Sequence, residues 1–517
     1  MRHLGRHLGV GAKPAAALPA AGGVPRAALG PLSAAADDYT CSAVVIGGWQ
    51  LSAGHHPSRK ADDAILRDLA AYHAGGCTTF DMGDIYTGVE ALIGRFVRAQ
   101  CPRGAGIEVH TKFVPDLDVL ADVDATHIRA VLSRSCRRLG VAALDLVQFH
   151  WWILEVGDWC AVAQLLARVG VGEGFVRRIG LTNFSAADTA AMLDAKPPVP
   201  LATTQVQYSL LDRRVEGGSL VDALAARRAD GADGAGPRAV VQLLCYGVLA
   251  GGFLTDFWLG RDEPVMATLR AEHNRSLVKY KLVIDRAGGW GAHQALLRAA
   301  RAVADGHRSG GEGDAAAAPA ATIAMVAMAW VLRQPLVASI IVGTRDAKWL
   351  PSTQQACALA AALSDAELEA LRAAGPVTAL PGGVYELERD RRPGAWGEVM
   401  RYNLNQVLSA THVAEHAAAL DAAAAAAAAA AALPAGASAW ADVAFDAWLL
   451  EREARAFAEY AATAAAAERG DAVSAIARAR ARLDTLWAAL LASADDGLPA
   501  AARAELAALG APGSVTS

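Results

Sequence analysis

This 517-residue chain lacks most of the features that would assign it quickly. Its seven cysteines (Cys41, Cys77, Cys101, Cys136, Cys160, Cys245, Cys357) are odd in number, scattered and without a C-x-x-C pair. That excludes a disulfide framework or a cysteine zinc site, assigns no metal, and suits a reducing compartment. There is no basic excess: 48 Lys and Arg against 53 Asp and Glu leave a net charge of −5, so nothing electrostatic recommends a nucleic acid as partner. No apolar run is long enough for a bilayer. The longest, Ala422–Leu433, is almost pure alanine and falls short of the roughly 20 residues a membrane helix needs. Alanine also produces the mean hydropathy of +0.24, so no membrane partner is expected. The glycine clusters Gly170–Gly174 and Gly310–Gly313 do not follow a strand and open a helix, so neither is a dinucleotide fingerprint. No internal repeat is evident.

Acidic residues are missing too from the first 36 positions, which carry Arg2, Arg6, Lys13 and Arg26 among Ala, Gly and Pro. Residues 1–40 therefore resemble an organelle transit peptide, for plastid or mitochondrion, more than the start of a fold. Read instead as a disordered extension, they leave the chain cytoplasmic.

From Ala43 the text changes to apolar runs rich in β-branched residues: 43–46, 77–81, 107–111, 145–149, 178–181, 203–207, 240–245 and 339–342. They are mostly apolar, as parallel strands buried on both faces should be. Amphipathic stretches of helical length lie between them, at 61–73, 89–99, 125–139, 158–170, 186–194, 217–228 and 321–333. Eight strands alternating with helices predict an α/β fold, a (β/α)8 TIM barrel over residues 41–405. Ser185 and Ser364 read as helix N-caps, the second in a capping box with Glu367. Segments 229–237 and 305–320 read as solvated insertions. The long connection after Cys245 holds Phe253, Phe257, Trp258, Lys279, Tyr280 and Trp290 and is suited to wall a pocket. Residues 406–517 are alanine-dominated with a poor apolar face, predicting a loosely attached, partly disordered helical extension whose protein partner the sequence does not name.

In such a barrel the ligand site is built from strand carboxyl ends, and four chemically distinct residues fall there: Asp81, Tyr86 just beyond it, Lys112 and His150. An acid, a phenol, an ammonium and an imidazole form a proton-handling set. Such a set must give up or take a proton at neutral pH. A free phenol, with a pKa near ~10, gives one up reluctantly. An ammonium at Lys112 would favour the phenolate and make Tyr86 the acid, with Asp81 holding Lys112 and His150 donating to the substrate oxygen. Cys245, beside this cleft, is either a small apolar filler or a reactive thiol.

Five segments together resemble the aldo-keto reductases: Phe80-Asp81-Met82-Gly83-Asp84-Ile85-Tyr86 with Val89–Gly94, Asp145–Trp152, Ile179–Phe184, Gln205–Leu210 and Cys245–Leu254. Their order and spacing carry the resemblance, which runs from about Ala43 to Asn405. It implies an NAD(P)H-dependent carbonyl reductase acting on a small-molecule aldehyde or ketone, and Asp81, Tyr86, Lys112 and His150 match its catalytic set in full. It implies that Thr182, Asn183 and Gln205 bind the nicotinamide carboxamide, that Tyr246 stacks on the ring, and that Gly247, Leu249 and Gly251 let backbone approach the pyrophosphate. At the last strand, Gly343, Thr344 and Arg345 fall at the adenosine end, where Arg345 would meet a 2′-phosphate and favour NADPH while leaving NADH open. Trp349 and Thr353 depart from the family's adenosine-binding pattern. Trp49, Trp151 and Trp152 would line the mouth for an apolar or aromatic substrate. Two other classes fit parts of the pattern: a redox sensor or regulatory subunit that binds cofactor but turns over little, and a Schiff-base lyase using Lys112.

Overall fold

A computed structural model of the chain describes residues 23–29, 39–53, 55, 60–100, 106–216, 220–229, 241–272, 274–307, 321–343, 346–376, 378–390, 392, 396–397, 410–431, 437–463 and 481. Two short strands, β1 (Arg26–Ala28) and β2 (Thr40–Ser42), pair antiparallel. Eight more follow: β3 (Val44–Gly47), β4 (Thr79–Asp81), β5 (Glu108–Phe113), β6 (Leu146–Phe149), β7 (Ile179–Thr182), β8 (Leu201–Gln207), β9 (Gln242–Tyr246) and β10 (Val337–Val342). They close into a barrel in the order β10-β3-β4-β5-β6-β7-β8-β9. Pairs such as Thr111 with Val147 and Gln205 with Leu244 run parallel. Every barrel strand overlaps one of the runs read from the sequence, and β10 is buried at all six positions, as a strand covered on both faces must be.

The helices are α1 (Asp62–Ala74), α2 (Val89–Gln100), α3 (Ala125–Leu139), α4 (Trp159–Gly172), α5 (Ala186–Asp194), α6 (Leu220–Ala229), α7 (Met266–Ala271), α8 (Arg275–Arg286), α9 (Gly289–Gly306), α10 (Ile323–Leu332), α11 (Leu350–Ala362), α12 (Asp365–Ala373), α13 (Glu386–Arg389), α14 (Ala410–Ala431) and α15 (Ala437–Thr463). The expected caps form. The Asp188 amide donates to Ser185 Oγ at 3.2 Å, and Ser364 makes the reciprocal box with Glu367. The insertions at 229–237 and 305–320 lie almost wholly outside the described residues. No helix among the described residues is long and apolar enough to cross a membrane.

The chain parts into two compact units. The first holds Met1–Asp81, Gly180–Ala190 and Leu201–Tyr402. Within it, β1 belongs to a stretch that composition had set aside as extension. Arg26 binds Thr40 and Thr78 side chains at 2.7 and 2.6 Å, so part of residues 1–40 is fold, while 1–22 and 30–38 lie outside the described residues. The connection after β9 is helical, through α7, α8 and α9, rather than an open loop.

The second unit holds Met82–Ile179, Ala191–Pro200 and Asn403–Ser517. Here α14 and α15 pack firmly, where a poor apolar face had predicted loose attachment. The reason is a second, polar pattern. Arg134, Arg137 and Arg138 on α3 share one face, as do His412, Glu415 and His416 on α14, at spacings of three and four. Arg134 binds His412 at 2.9 Å and Arg138 binds Glu415 at 2.9 Å. Arg137 and His416 both bind the fully buried Glu453 of α15. Burial alone would raise the Glu453 carboxyl, but Arg137 and His416 outweigh it and hold it down to about 2. Phe457 and Tyr460 add an apolar contact with Ala130.

Candidate functional site

In the second unit, three of the polar strand-end residues sit around the ends of β5 and β6. Lys112, buried near the end of β5, donates from Nζ to the Met82 carbonyl at 2.6 Å, and the same ammonium lies 4.9 Å from the centroid of the Tyr86 ring. The side of the Tyr86 ring is close to Gly83, where a Cβ would stand only 3.2 Å from it. A cation against this phenol favours its ionised form, which is what a proton donor needs its product to be. His150 follows β6, its amide bonded to the Phe113 carbonyl at 3.1 Å and its ring edge-on to Trp152 at 4.8 Å. Trp151 points elsewhere: it is fully buried, packs on Phe149 and donates to the Val156 carbonyl at 2.9 Å, which makes it a core residue. His110, two positions before Lys112 on the same strand face, is buried, and its imidazole is driven down to about 3 by burial first and by Lys112 and Arg178 second. It is a neutral ring at any ordinary pH.

The first unit carries the remaining strand-end residues. Gln205 on β8 donates from Nε2 to Asp81 Oδ2 at 2.7 Å, so Asp81 fixes which end of the Gln205 amide is which. Asn183, just beyond β7 with φ of 66°, receives the Tyr246 hydroxyl on its Oδ1 at 2.8 Å. Burial holds Tyr246 well above the ordinary phenol range, with Tyr385 and Glu388 adding to it, so its hydroxyl keeps the proton and donates. The two amides are thereby held oppositely: Asn183 through its oxygen, Gln205 through its nitrogen. Thr182 ends β7 and is buried beside them in sequence.

Gly247 and Gly251 have φ of 74° and 67° and sit under α8. A Cβ on Gly247 would stand 2.3 Å from the Tyr280 hydroxyl, and one on Gly251 would stand 2.9 Å from the Ser276 carbonyl. Glycine is required at both by the backbone and by α8 above it. Leu249 stands at the N-terminal end of the short 3-10 turn Ala250–Gly252, which contains Gly251, and Gly343 follows β10 against the Gln50 side chain. Thr344 and Arg345 lie outside the described residues. Trp49 is half-buried and edge-on to His55 at 4.3 Å. Cys245 is fully buried, and burial pushes its thiol up, which makes it packing and not a nucleophile.

The family model described as the aldo/keto reductase family matches residues 43–375, well over half of the chain. The chain belongs to the aldo/keto reductase family. A curated aldo-keto reductase of Strobilurus tenacellus is 26% identical over 344 residues, covering 65% of this chain and 87% of its own. A probable aldo-keto reductase of Glycine max is 26% identical over 372 residues, covering 70% and 93%. Among solved structures, an aldo-keto reductase from Klebsiella pneumoniae in complex with NADPH aligns over 67% of this chain and 95% of its own at 19% identity, with a TM-score of 0.45.

Three residues of this aldo-keto reductase, Arg389, Glu388 and Tyr385, were missed in the sequence, and they lie around Asn183 and Tyr246 together with Lys279, which the sequence placed only on the long connection after Cys245. Arg389 of α13 donates to the Asn183 carbonyl at 2.8 Å while its guanidinium rests near Phe184 and Tyr385. Glu388 pairs with Arg214 at 2.8 Å. Tyr385, at φ of 62°, turns the chain into α13. Lys279 of α8 is buried beneath Tyr246. The one available signal was the pair Tyr385 and Arg389, a helical turn apart directly after Pro381-Gly382-Gly383.

Proposed function

We propose that this aldo-keto reductase transfers a hydride from NADPH to the carbonyl of an aldehyde or ketone, with Tyr86 as the proton donor. The observation that carries the reading is the opposed pair of amides. A primary carboxamide has one acceptor and one donor end, and the pair matches that polarity, with Asn183 held through its oxygen by Tyr246 and Gln205 through its nitrogen by Asp81. The residue set therefore fits a nicotinamide. When bound, that group would supply the hydride. The chain's own part is to hold the carboxamide through Thr182, Asn183 and Gln205, to flank the ring with Tyr246, and to carry the phosphates along Gly247–Gly251. On the protonation side, Lys112 stabilises the phenolate left at Tyr86 once its proton has gone to the substrate oxygen. His150 donates a hydrogen bond to the same oxygen. Arg345 favours NADPH by its chemistry, and Trp49 with Trp152 favours an apolar carbonyl compound.

The test is steady-state oxidation of NADPH, and separately NADH, by the full chain with a panel of aliphatic and aromatic aldehydes and ketones. Turnover that disappears in Tyr86→Phe while NADPH still binds supports the assignment. Tight binding with no turnover on any carbonyl would favour a cofactor-binding regulatory subunit instead.

A further inference from the structure

Lys279 is a lysine buried among aromatic rings. Its Nζ lies 4.9 Å from the centroid of Tyr246, 5.2 Å from that of Tyr280 and 5.9 Å from that of Tyr385, and the residue is 3% exposed. No hydrogen bond or ion pair joins it to another described residue. The charged groups that act on it come from two other elements: Asp212 and Arg214, which follow β8, and Glu388 of α13. Those three are satisfied among themselves, Arg214 binding Asp212 at 2.7 Å and Glu388 at 2.8 Å. A lysine so placed contributes little to folding, because its ammonium is stripped of water and given only ring faces in return.

Its position relative to Tyr246 suggests what it does contribute. Tyr246 is the ring that, in the function proposed above, flanks the nicotinamide, and the following inference rests on that reading. The nicotinamide ring is cationic when oxidised and neutral when reduced. An ammonium held on Tyr246 repels the first and leaves the second untouched, and the burial of Lys279 keeps bulk water away from its charge. We propose that Lys279 is a specificity-determining residue that makes the site discriminate between the two redox forms of the cofactor, retaining the reduced form and expelling the oxidised one. The direction suits a carbonyl reductase, in which release of the spent cofactor must follow each turnover.

The charge on Lys279 is also adjustable. Burial lowers its pKa to about 8, with Glu388 opposing and Arg214 reinforcing the shift. The residue is therefore an ammonium at pH 6.5 and a neutral amine at pH 9.5, so the discrimination is present in the first condition and lost in the second.

The experiment is equilibrium titration of the full-length protein with NADPH and with NADP+, followed by quenching of protein fluorescence at pH 6.5 and 9.5, for wild type, Lys279→Met and Lys279→Arg. The expected result is that the ratio of the NADP+ Kd to the NADPH Kd falls about tenfold in Lys279→Met at pH 6.5. The same fall should occur in wild type on going to pH 9.5, while Lys279→Arg, charged throughout, keeps the ratio at both. An unchanged ratio in Lys279→Met, with both affinities measurable, overturns the proposal. Tyr246→Leu separates this from failure of the underlying reading. If that variant binds both forms as wild type does, Tyr246 does not flank the ring, and the reading falls together with the inference. If Tyr246→Leu weakens binding and Lys279→Met leaves the ratio alone, only the inference falls.

Discussion

The Tyr246 hydroxyl donates to Asn183 Oδ1 across 2.8 Å and so decides which end of that amide is available. Tyr246→Phe removes the donor, leaving Oδ1 unsatisfied or letting the amide turn over and present its acceptor end to another acceptor. Either result costs about 1–3 kcal/mol, equivalent to a rise of roughly 5- to 160-fold in the NADPH Kd. Fluorescence titration of the variant checks this. An unaltered Kd would mean that Asn183 is oriented by something other than Tyr246.

Tyr86→Phe tests the proton donor. Lys112 keeps its bond to the Met82 carbonyl in that variant, so local structure is retained and only the hydroxyl is lost. Removal of a general acid lowers kcat by about 10²- to 10⁴-fold, and the NADPH Kd should move by less than about twofold. Carbonyl reduction at the wild-type rate would assign the acid to another residue.

Glu453 makes a prediction in pH. Its carboxyl is held down to about 2 in the folded chain, against about 4.3 for an unfolded glutamate. The folded state thus binds fewer protons there, and the stabilisation it provides is fully present above about pH 4.3 and lost as pH falls from there towards 2. Glu453→Gln, which strands Arg137 and His416, should destabilise the chain by about 3–5 kcal/mol at pH 7. The difference from wild type should shrink as urea unfolding is repeated at pH 4 and then pH 3. A constant difference across that range would show that Glu453 stabilises through its shape and not its charge.

Gly94 sets the separation of α2 from α3. A Cβ at this position would stand 1.8 Å from the Arg138 carbonyl, a backbone atom that can give only if the helices part. Gly94→Ala gains helix propensity, worth about 1 kcal/mol, yet should lower stability by about 1–3 kcal/mol net, because overpacking outweighs it. A thermal melt decides the sign. Stabilisation would show that the two helices can separate at little cost.

The division between what was readable and what was hidden follows the range of the interactions. The eight barrel strands were legible because burial on both faces favours β-branched and mostly apolar runs, and those runs are local. So were Asp81, Tyr86, Lys112 and His150, since each lies at or just beyond a strand end. Trp151 was not separable from Trp152: which of two adjacent indoles faces the core depends on whether Phe149 and the Val156 carbonyl are there to receive it. The C-terminal helices were misjudged for a similar reason. Alanine-rich helices look unanchored when only apolar faces are counted, and their anchor is ionic, with Arg134, Arg137 and Arg138 on a segment more than 270 residues away from its partners.

The sequence alone determined the barrel, its strand order along the chain and the chemical kinds of residue at its strand ends, because hydrophobic period and residue type are properties of short stretches. Tertiary structure alone decided that Gln205 and Asn183 face opposite ways, that Arg389 holds the Asn183 backbone, and that a lysine from α8 lies under Tyr246. Orientation of an amide and the charge state of a buried amine depend on groups brought in from distant parts of the chain, and no local pattern encodes them.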